Sequence, residues 1–243
     1  MELLAQIGGS AYCIVAFVIG GRLIALSLRT RQLPELLIGV AVLFLAGLGY
    51  PLSAVAREVP DLAPWIRGVL GASAGFLAVV GLAANTGFTW ILFRRAEAWA
   101  SALLACVGLG AVGLFCAQSA AGGWSRGTLF WGWLPLGITV SYAWGFLECA
   151  RYHRLLRRRL HLGMADPVVM NRFALYAVAT GLAVVTNLVG WVFWRLDLEM
   201  LTHPVGSSLL FVLGVTSSAL MLLAFLPPRA YLAWVRARAP EAA

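Results

Sequence analysis

The sequence predicts an all-α membrane protein, a single bundle of seven transmembrane helices that takes up residues 1–243. Two observations predict this fold class. Hydrophobic residues make up 61% of the 243 residues and charged residues 12%, whereas soluble domains average roughly 45–50% and about 25%. The apolar residues also fall into seven runs, each near the roughly 20 residues that a helix needs to cross a bilayer. A small globule cannot bury this much apolar surface, so we expect it to face lipid.

The seven apolar runs define the predicted helices in chain order. The first run has no basic segment before it and is longer than a signal-peptide core, so we expect it to remain as the first helix. The seventh ends at Pro227 and Pro228, because proline cannot continue the helical hydrogen-bond ladder. The predicted bounds are residues 4–28, 33–56, 68–93, 98–120, 128–163, 167–194 and 207–226, with a short interfacial helix at 228–238.

The fifth helix is predicted to continue past the membrane. Leucine and tyrosine recur at helical spacing between residues 152 and 160, and arginines take the opposite face. Gly163 follows as a C-cap, because glycine tolerates the left-handed backbone that ends many helices. Asp166 and Pro167 then have the residue types of an N-cap and a first helical position.

The orientation of the bundle follows from its arginines, since cytoplasmic loops carry an excess of positive charge. The chain has 18 cationic residues, all of them Arg, and a net charge of +8. One set of connections and the C-terminal tail together hold 13 of them, and the opposite set holds four, Arg57, Arg67, Arg126 and Arg195. The N-terminus is therefore predicted to lie outside and the C-terminus in the cytoplasm.

The charged residues Arg22 and Glu148 lie within the apolar runs of the first and fifth helices. Both are near the cytoplasmic ends of their helices, and a charge at such a depth is expected to pair. We therefore predict an Arg22–Glu148 ion pair that acts as a gate. The alternative is that Arg22 extends to the headgroups and Glu148 to water.

Polar and aromatic residues share faces of the third, fifth, sixth and seventh helices, which predicts a pocket within the bundle. Pockets of this kind, mainly apolar with a few polar groups, are typical of small-ligand sites. The alternative is hydrogen bonding and close packing between helices. The candidate ligand-binding residues are Asn85, Thr89, Trp90, Ser141, Tyr176, Thr180, Asn187, Trp191 and Ser218.

The basic face of the extended fifth helix is a candidate contact surface. It fits either a cytoplasmic protein partner or the anionic headgroups of the lipid bilayer. A nucleic-acid partner is not expected, because the arginines lie between long apolar runs. The residues of this surface are Arg151, Arg154, Arg157, Arg158 and Arg159.

Several chemistries are excluded by missing residue types. The chain has no lysine, so a retinal Schiff base cannot form. None of the three histidines lies at membrane depth, which leaves no predicted haem or catalytic zinc site. We expect no metal and no cofactor, and no nucleophile–base arrangement indicates an enzyme.

The helix count, the outside N-terminus, the extended fifth helix and the tail helix resemble the heptahelical group of opsins, G-protein-coupled receptors and SWEET-like carriers. The resemblance covers the topology of the whole chain, and diagnostic motifs are missing. The seventh helix reads Gly214-Val-Thr-Ser-Ser-Ala219 without the opsin lysine, and the third ends in Phe93-Arg-Arg rather than a receptor signature. The Arg-rich, short-looped chain is also similar to uncharacterised bacterial seven-helix proteins, which implies the inner (plasma) membrane.

These observations favour a receptor-like sensor that binds a small, partly hydrophobic molecule and signals to a cytoplasmic partner. The second hypothesis is a carrier with alternating access, which would use the same pocket. The third is a structural subunit of a membrane complex, in which the polar faces serve packing alone. An intramembrane enzyme is the least favoured of the four.

Overall fold

The computed structural model describes residues 2–238 except 60, 125–127, 161, 199 and 201–202, and this described part is entirely helical, as predicted. The helices are α1 (Glu2–Thr30), α2 (Leu33–Val42), α3 (Tyr50–Glu58), α4 (Pro64–Phe93), α5 (Ala98–Ala121), α6 (Leu129–Leu160), α7 (Pro167–Arg195), α8 (Pro204–Phe225) and α9 (Arg229–Ala237). A π-helical segment, Leu43–Gly49, joins α2 to α3 without interruption. We call these three segments the α2–α3 unit.

Six of the helices are long and apolar enough to cross a membrane, as in a multi-pass membrane protein. They are α1, the α2–α3 unit, α4, α5, α7 and α8. The remaining long helix, α6, differs because its first half contains Trp131, Trp133 and Pro135, and its second half is rich in arginine. Proline and the indole N–H of tryptophan both reduce the apolar character of a helix.

The long helices form a closed ring that follows the chain order. Each packs against its neighbours in sequence, and α8 packs against α1 to close the ring. In addition, α4 contacts α6 across the interior, which separates α5 from the centre of the bundle. The peripheral position of α5 leaves most of its side chains on the outer surface, with Ala100, Ala111 and Gln118 buried.

Glycine brings α1 and α8 into backbone contact. A Cβ atom placed on Gly214 would lie 2.8 Å from the carbonyl oxygen of Gly8. A Cβ atom placed on Gly8 would lie 2.7 Å from the Cα atom of Phe211. Small residues at such a crossing allow the close packing that stabilises helix pairs in membranes. This contact holds the first and last long helices together.

Residue types at the α6–α7 connection determine where α6 ends and where α7 begins, as predicted. Gly163 has φ +68°, and its N–H donates to the carbonyl of Leu160 at 3.0 Å. The N–H of Met164 donates to the carbonyl of Arg159 at 2.9 Å, which completes a Schellman cap. The side chain of Asp166 accepts from the N–H of Val168 at 2.7 Å as the N-cap of α7. The described part of α6 ends at Leu160, three residues before the predicted end at residue 163.

The predicted tail helix is present as α9, and it packs against α7. Asn171 of α7 donates to the hydroxyl of Tyr231 at 2.8 Å. Trp234 is exposed, and the guanidinium of Arg238 lies 4.2 Å from the centre of its ring. A helix with an exposed tryptophan among arginines has the side chains of an interfacial helix.

Candidate ligand cavity and polar core

A cavity of about 360 Å³ lies at the end of the bundle where α1 begins. We call this the cavity end, and the opposite end, which holds most of the arginines, the Arg-rich end. The volume falls within the roughly 300–1,000 Å³ of small-molecule sites. All the long helices except α5 contribute to the wall, together with Leu198 and Met200 of the α7–α8 connection. On α6 the lining runs from Trp131 to Tyr142, a depth of about 16 Å at the helical rise per residue.

The wall of the cavity is mainly apolar and aromatic. Trp131 of α6 and Trp191 and Trp194 of α7 line it beside Tyr50 of the α2–α3 unit. Gly132 makes room for one of these rings, because a Cβ atom at this position would overlap the indole of Trp194. Aromatic side chains of this kind offer large apolar faces to a ligand.

The floor of the cavity is polar. Tyr12 of α1 and Tyr142 of α6 line it, and the same two tyrosines also line the space below. Below them is a chamber of about 20 Å³, which is enough for one water molecule. Asn85, Tyr176 and Thr180 line this chamber. The polar groups of α1, α4, α6 and α7 therefore meet near the middle of the bundle.

Beside the chamber, α4 and α6 are joined by a buried hydrogen-bonded cluster. The amide of Asn85 donates to Ser141 Oγ at 2.8 Å, and the hydroxyls of Thr86 and Ser141 are 2.9 Å apart. These three side chains are at most 3% exposed. One turn further along, Thr89 is buried against Gly145, where a Cβ atom would lie 3.4 Å from its Oγ1. Bonded clusters of this kind fix the register of two packed helices.

Towards the Arg-rich end, α4 and α6 are joined by an ion pair, Arg94–Glu148, which differs from the predicted pair. Arg94 Nε lies 2.9 Å from Glu148 Oε1, and the side chain of Glu148 is 7% exposed. Arg151 approaches the same oxygen at 3.8 Å. The predicted Arg22–Glu148 pair is wrong: Arg22 is exposed on α1. Helix α1 packs against the α2–α3 unit and α8, whereas α4 lies against α6, so Arg94 reaches the carboxylate.

A second carboxylate extends this ion pair to the start of α5. Arg94 Nη1 lies 2.5 Å from Glu97 Oε1, and the indole N–H of Trp99 donates to the other oxygen of Glu97. The guanidinium of Arg94 and then this indole hold the pKa of Glu97 below its usual range. The two carboxylates in turn raise the pKa of Arg94. These charged side chains link α6 to the end of α4 and to the start of α5.

Aromatic side chains close the bundle between the chamber and the Arg-rich end. The ring of Tyr176 lies edge-on to Phe88 at 6.1 Å and to Phe225 at 5.8 Å between ring centres. Closer to the Arg-rich end, Phe173 packs against Tyr152 at 4.7 Å and against Phe93 at 6.2 Å. The cavity therefore reaches one end of the bundle, and these rings lie between its floor and the other end.

The predicted ligand-binding residues divide into three sets. Asn187 and Trp191 line the large cavity, and Asn85, Tyr176 and Thr180 line the small chamber. Four others line neither. Among these, Ser141 belongs to the hydrogen-bonded cluster, and Ser218 donates to the carbonyl of Gly214 at 2.7 Å. The remaining two are Thr89, which is buried between α4 and α6, and Trp90, whose indole donates to Ser101 at 3.1 Å.

The arginines of the predicted basic face lie along the last turns of α6. Arg151, Arg154, Arg157, Arg158 and Arg159 are all exposed, while Leu156 and Leu160 are buried. Of these five arginines, Arg151 also faces Glu148. The other predicted set of arginines is described less fully, because Arg126 and the side chain of Arg57 lie outside the described residues.

Several lining residues were not among the predicted candidates. Tyr12 lies on α1, where the sequence offered no second polar residue at helical spacing to indicate an inward face. Tyr142 is next to the candidate Ser141, and Trp131 and Trp194 lie near helix ends, where tryptophan commonly anchors a helix at the membrane interface. The signal that could have identified the aromatic wall is Gly132, whose missing side chain leaves room for the Trp194 ring.

No group of three or more His, Cys, Asp or Glu side chains that could hold a metal occurs within the described residues. Comparisons with known proteins add no relative: no protein-family model matches the chain, and no curated protein or solved structure shows significant similarity to it. The function has to be inferred from the cavity, the polar cluster and the ion pair.

Proposed function

We propose that the chain is a seven-span membrane protein of the receptor type, which binds a small molecule in its cavity and signals through α6. In this proposal α6 is the seventh span. The Arg-rich end lies in the cytoplasm, since positive charge is retained on that side. The cavity end then faces the outside of the cell, and a ligand enters from there or from the outer leaflet.

The observation that carries this proposal is the one-sided cavity. A space of about 360 Å³ opens towards the cavity end, and the rings of Phe88, Tyr176 and Phe225 block the path to the other end. A molecule could therefore bind without crossing the bundle. A subunit whose polar faces served packing alone would have no need for a space of this size, because interiors are otherwise closely packed.

Helix α6 offers a direct route from the cavity to the cytoplasm. It carries Tyr142 at the cavity floor, Ser141 in the hydrogen-bonded cluster, Glu148 in the ion pair and then the exposed arginines. A ligand that binds one arrangement of α4 and α6 more tightly than another shifts the population between them. The arginines beyond Glu148 would present that shift to a protein partner or to the lipid surface.

The proposal can be tested by tethering an occupant inside the cavity. Cys13, Cys106 and Cys116 are replaced by Ala, Cys149 is kept, and Ala183→Cys on the cavity wall is reacted with benzyl methanethiosulfonate. We expect the attached benzyl group to change hydrogen–deuterium exchange in residues 151–160 of α6. Val185→Cys is the matched control, because Val185 is exposed two residues further along the same helix.

The same experiment distinguishes the sensor from a carrier. Cys149 is fully buried near the Arg-rich end. In a carrier, an occupant would open that end, and Cys149 would react with a charged methanethiosulfonate added from the cytoplasmic side. In a sensor Cys149 stays unreactive while the exchange of α6 changes. Failure of the reagent to reach Ala183→Cys would contradict both functions and favour a structural subunit.

A further inference from the structure

We infer that the ligand is an uncharged molecule with a flat apolar body and one hydrogen-bonding end, and that this end binds at the Tyr12–Tyr142 hydroxyl pair. The inference rests on the proposed function, because it concerns the occupant of the same cavity. Three features of the wall support it: its lack of charge, the position of its polar groups, and the aromatic side chains near its opening.

The first feature is the absence of charge. The cavity-lining residues in the described part of the chain include no Arg, His, Asp or Glu. An ion moved from water into such a site loses much of its hydration, and no opposite charge among the described lining residues compensates for it. Arg195 is the closest candidate, with its guanidinium 6.0 Å from the Trp191 ring centre, but it is exposed and does not line the cavity.

A cation held by aromatic rings is the competing class. Three tryptophans and three tyrosines line the cavity, and the faces of such rings attract cations. These contacts would have to offset the lost hydration without help from a carboxylate among the described lining residues, and the chain as a whole carries a net charge of +8. The balance favours a neutral occupant.

The second feature is the hydroxyl pair at the floor. Each phenol has one O–H donor and can accept at its oxygen. Tyr12 and Tyr142 line both the cavity and the chamber below it, so the pair lies at the floor, where its O–H groups and oxygens can bond to a ligand. The polar lining of the chamber below offers a water site that could extend this interaction to Asn85. A hydroxyl, carbonyl or amide on the ligand fits this end.

The third feature is the aromatic upper wall. Trp131, Trp191 and Trp194 line the cavity towards its opening, beyond the tyrosine pair. Indole faces pack best against flat apolar groups, by stacked or edge-to-face contact. Thr186 and Asn187 also line the wall, but their side chains donate to backbone carbonyls of α7. The polar floor and the aromatic wall therefore select a molecule with one polar end and a flat, apolar remainder.

The charge preference can be measured by the rates at which small reagents modify Ala183→Cys in the background that keeps Cys149. Neutral methyl methanethiosulfonate is compared with the anionic sulfonatoethyl and the cationic trimethylammonioethyl reagents. Each rate is divided by the rate at Leu196→Cys, an exposed position in the α7–α8 connection. We expect both charged reagents to react at least about tenfold more slowly at residue 183 than the neutral reagent, because each must lose its hydration.

Each result of this comparison has a separate meaning. If either charged reagent reacts within about tenfold of the neutral one, the inference of an uncharged ligand is overturned. A preference for the cationic reagent alone would indicate an aromatic cation site. If no reagent modifies residue 183 while Leu196→Cys reacts normally, the proposed function itself fails, because the cavity is then not accessible.

The hydroxyl pair is tested by protection of Ala183→Cys from the neutral reagent. 1-Naphthol is compared with 1-methylnaphthalene, which has the same rings without the hydroxyl. We expect 1-naphthol to protect at a concentration about fivefold lower, as one hydrogen bond would give, and Tyr142→Phe or Tyr12→Phe to remove most of that difference. An unchanged difference in both variants overturns the assignment of the polar end, and no protection by either compound overturns the flat apolar body.

Discussion

Replacing Arg94 with Ala is expected to lower the free energy of unfolding by on the order of 3 kcal/mol, because the change leaves a buried carboxylate without its main partner. Glu148 is 7% exposed, and Arg94 is its closest cation at 2.9 Å. Arg151, at 3.8 Å and largely exposed, would compensate only in part. The measurement is reversible unfolding by sodium dodecyl sulfate in mixed micelles.

Two further variants test whether the loss of stability comes from the Arg94–Glu148 pair. Arg95→Ala removes the neighbouring exposed arginine and should change the unfolding free energy little, since exposed charges contribute about 0–1 kcal/mol. The double variant Arg94→Leu with Glu148→Leu should recover part of the loss, because it leaves no buried carboxylate unpaired, and Glu97, which also loses Arg94, is partly exposed. Equal effects of Arg94→Ala and Arg95→Ala would contradict the assigned role of the pair.

The second large effect is expected at the contact between α1 and α8. Gly214→Ala places a methyl group within 2.8 Å of the Gly8 carbonyl oxygen, which is backbone and cannot rotate away. The two helices must then separate, at a cost of about 2 kcal/mol, as for other overpacked interiors. The same unfolding assay measures it.

The matched control for this effect lies on α5. Gly113 is also a helical glycine, but a Cβ atom built on it meets nothing within 4 Å. Gly113→Ala should be neutral or stabilising, because alanine favours a helix more than glycine does. A loss at Gly113 as large as the loss at Gly214 would show that the cost comes from something other than the close approach.

The helices and their ends could be predicted because the signals are local. The length of each apolar run reflects the thickness of a bilayer, and the structure places the first turn of α7 at Pro167, as predicted. Gly163 and Asp166 cap α6 and α7 in the expected way, since their effects depend on a few neighbouring residues. The predicted start of α4, residue 68, lies four residues after the observed start. Pro64 begins a first helical turn that precedes the apolar run.

Contacts between helices could not be predicted in the same way. Arg22 and Glu148 lie at similar depth, and depth was the basis for pairing them. The choice of partner depends on which helices are neighbours in the ring, and α4 rather than α1 contacts α6. Arg94 was counted as a loop arginine because it follows the apolar run, although its side chain reaches back to Glu148.

The candidate site was predicted in outline. Asn187 and Trp191 were placed on one helical face and both line the cavity, since spacing along a single helix is visible in a sequence. Ser141 was expected beside the ligand but bonds instead to Asn85 and Thr86, because two neighbouring helices satisfy its hydroxyl. Tyr12 was missed, since nothing local distinguishes an inward tyrosine on α1 from one that faces the headgroups.

The most direct test of the proposed membrane arrangement is the sidedness of α6, the long helix outside the six that meet the criteria for a span. Ala121→Cys, at the end of α5, and Leu162→Cys, beyond α6, are labelled with a membrane-impermeant maleimide in intact cells and in inverted vesicles. We expect Ala121→Cys to react from outside the cell and Leu162→Cys from the cytoplasmic side. Labelling of both from the same side would show that α6 does not cross the membrane and would contradict the proposed orientation of the cavity.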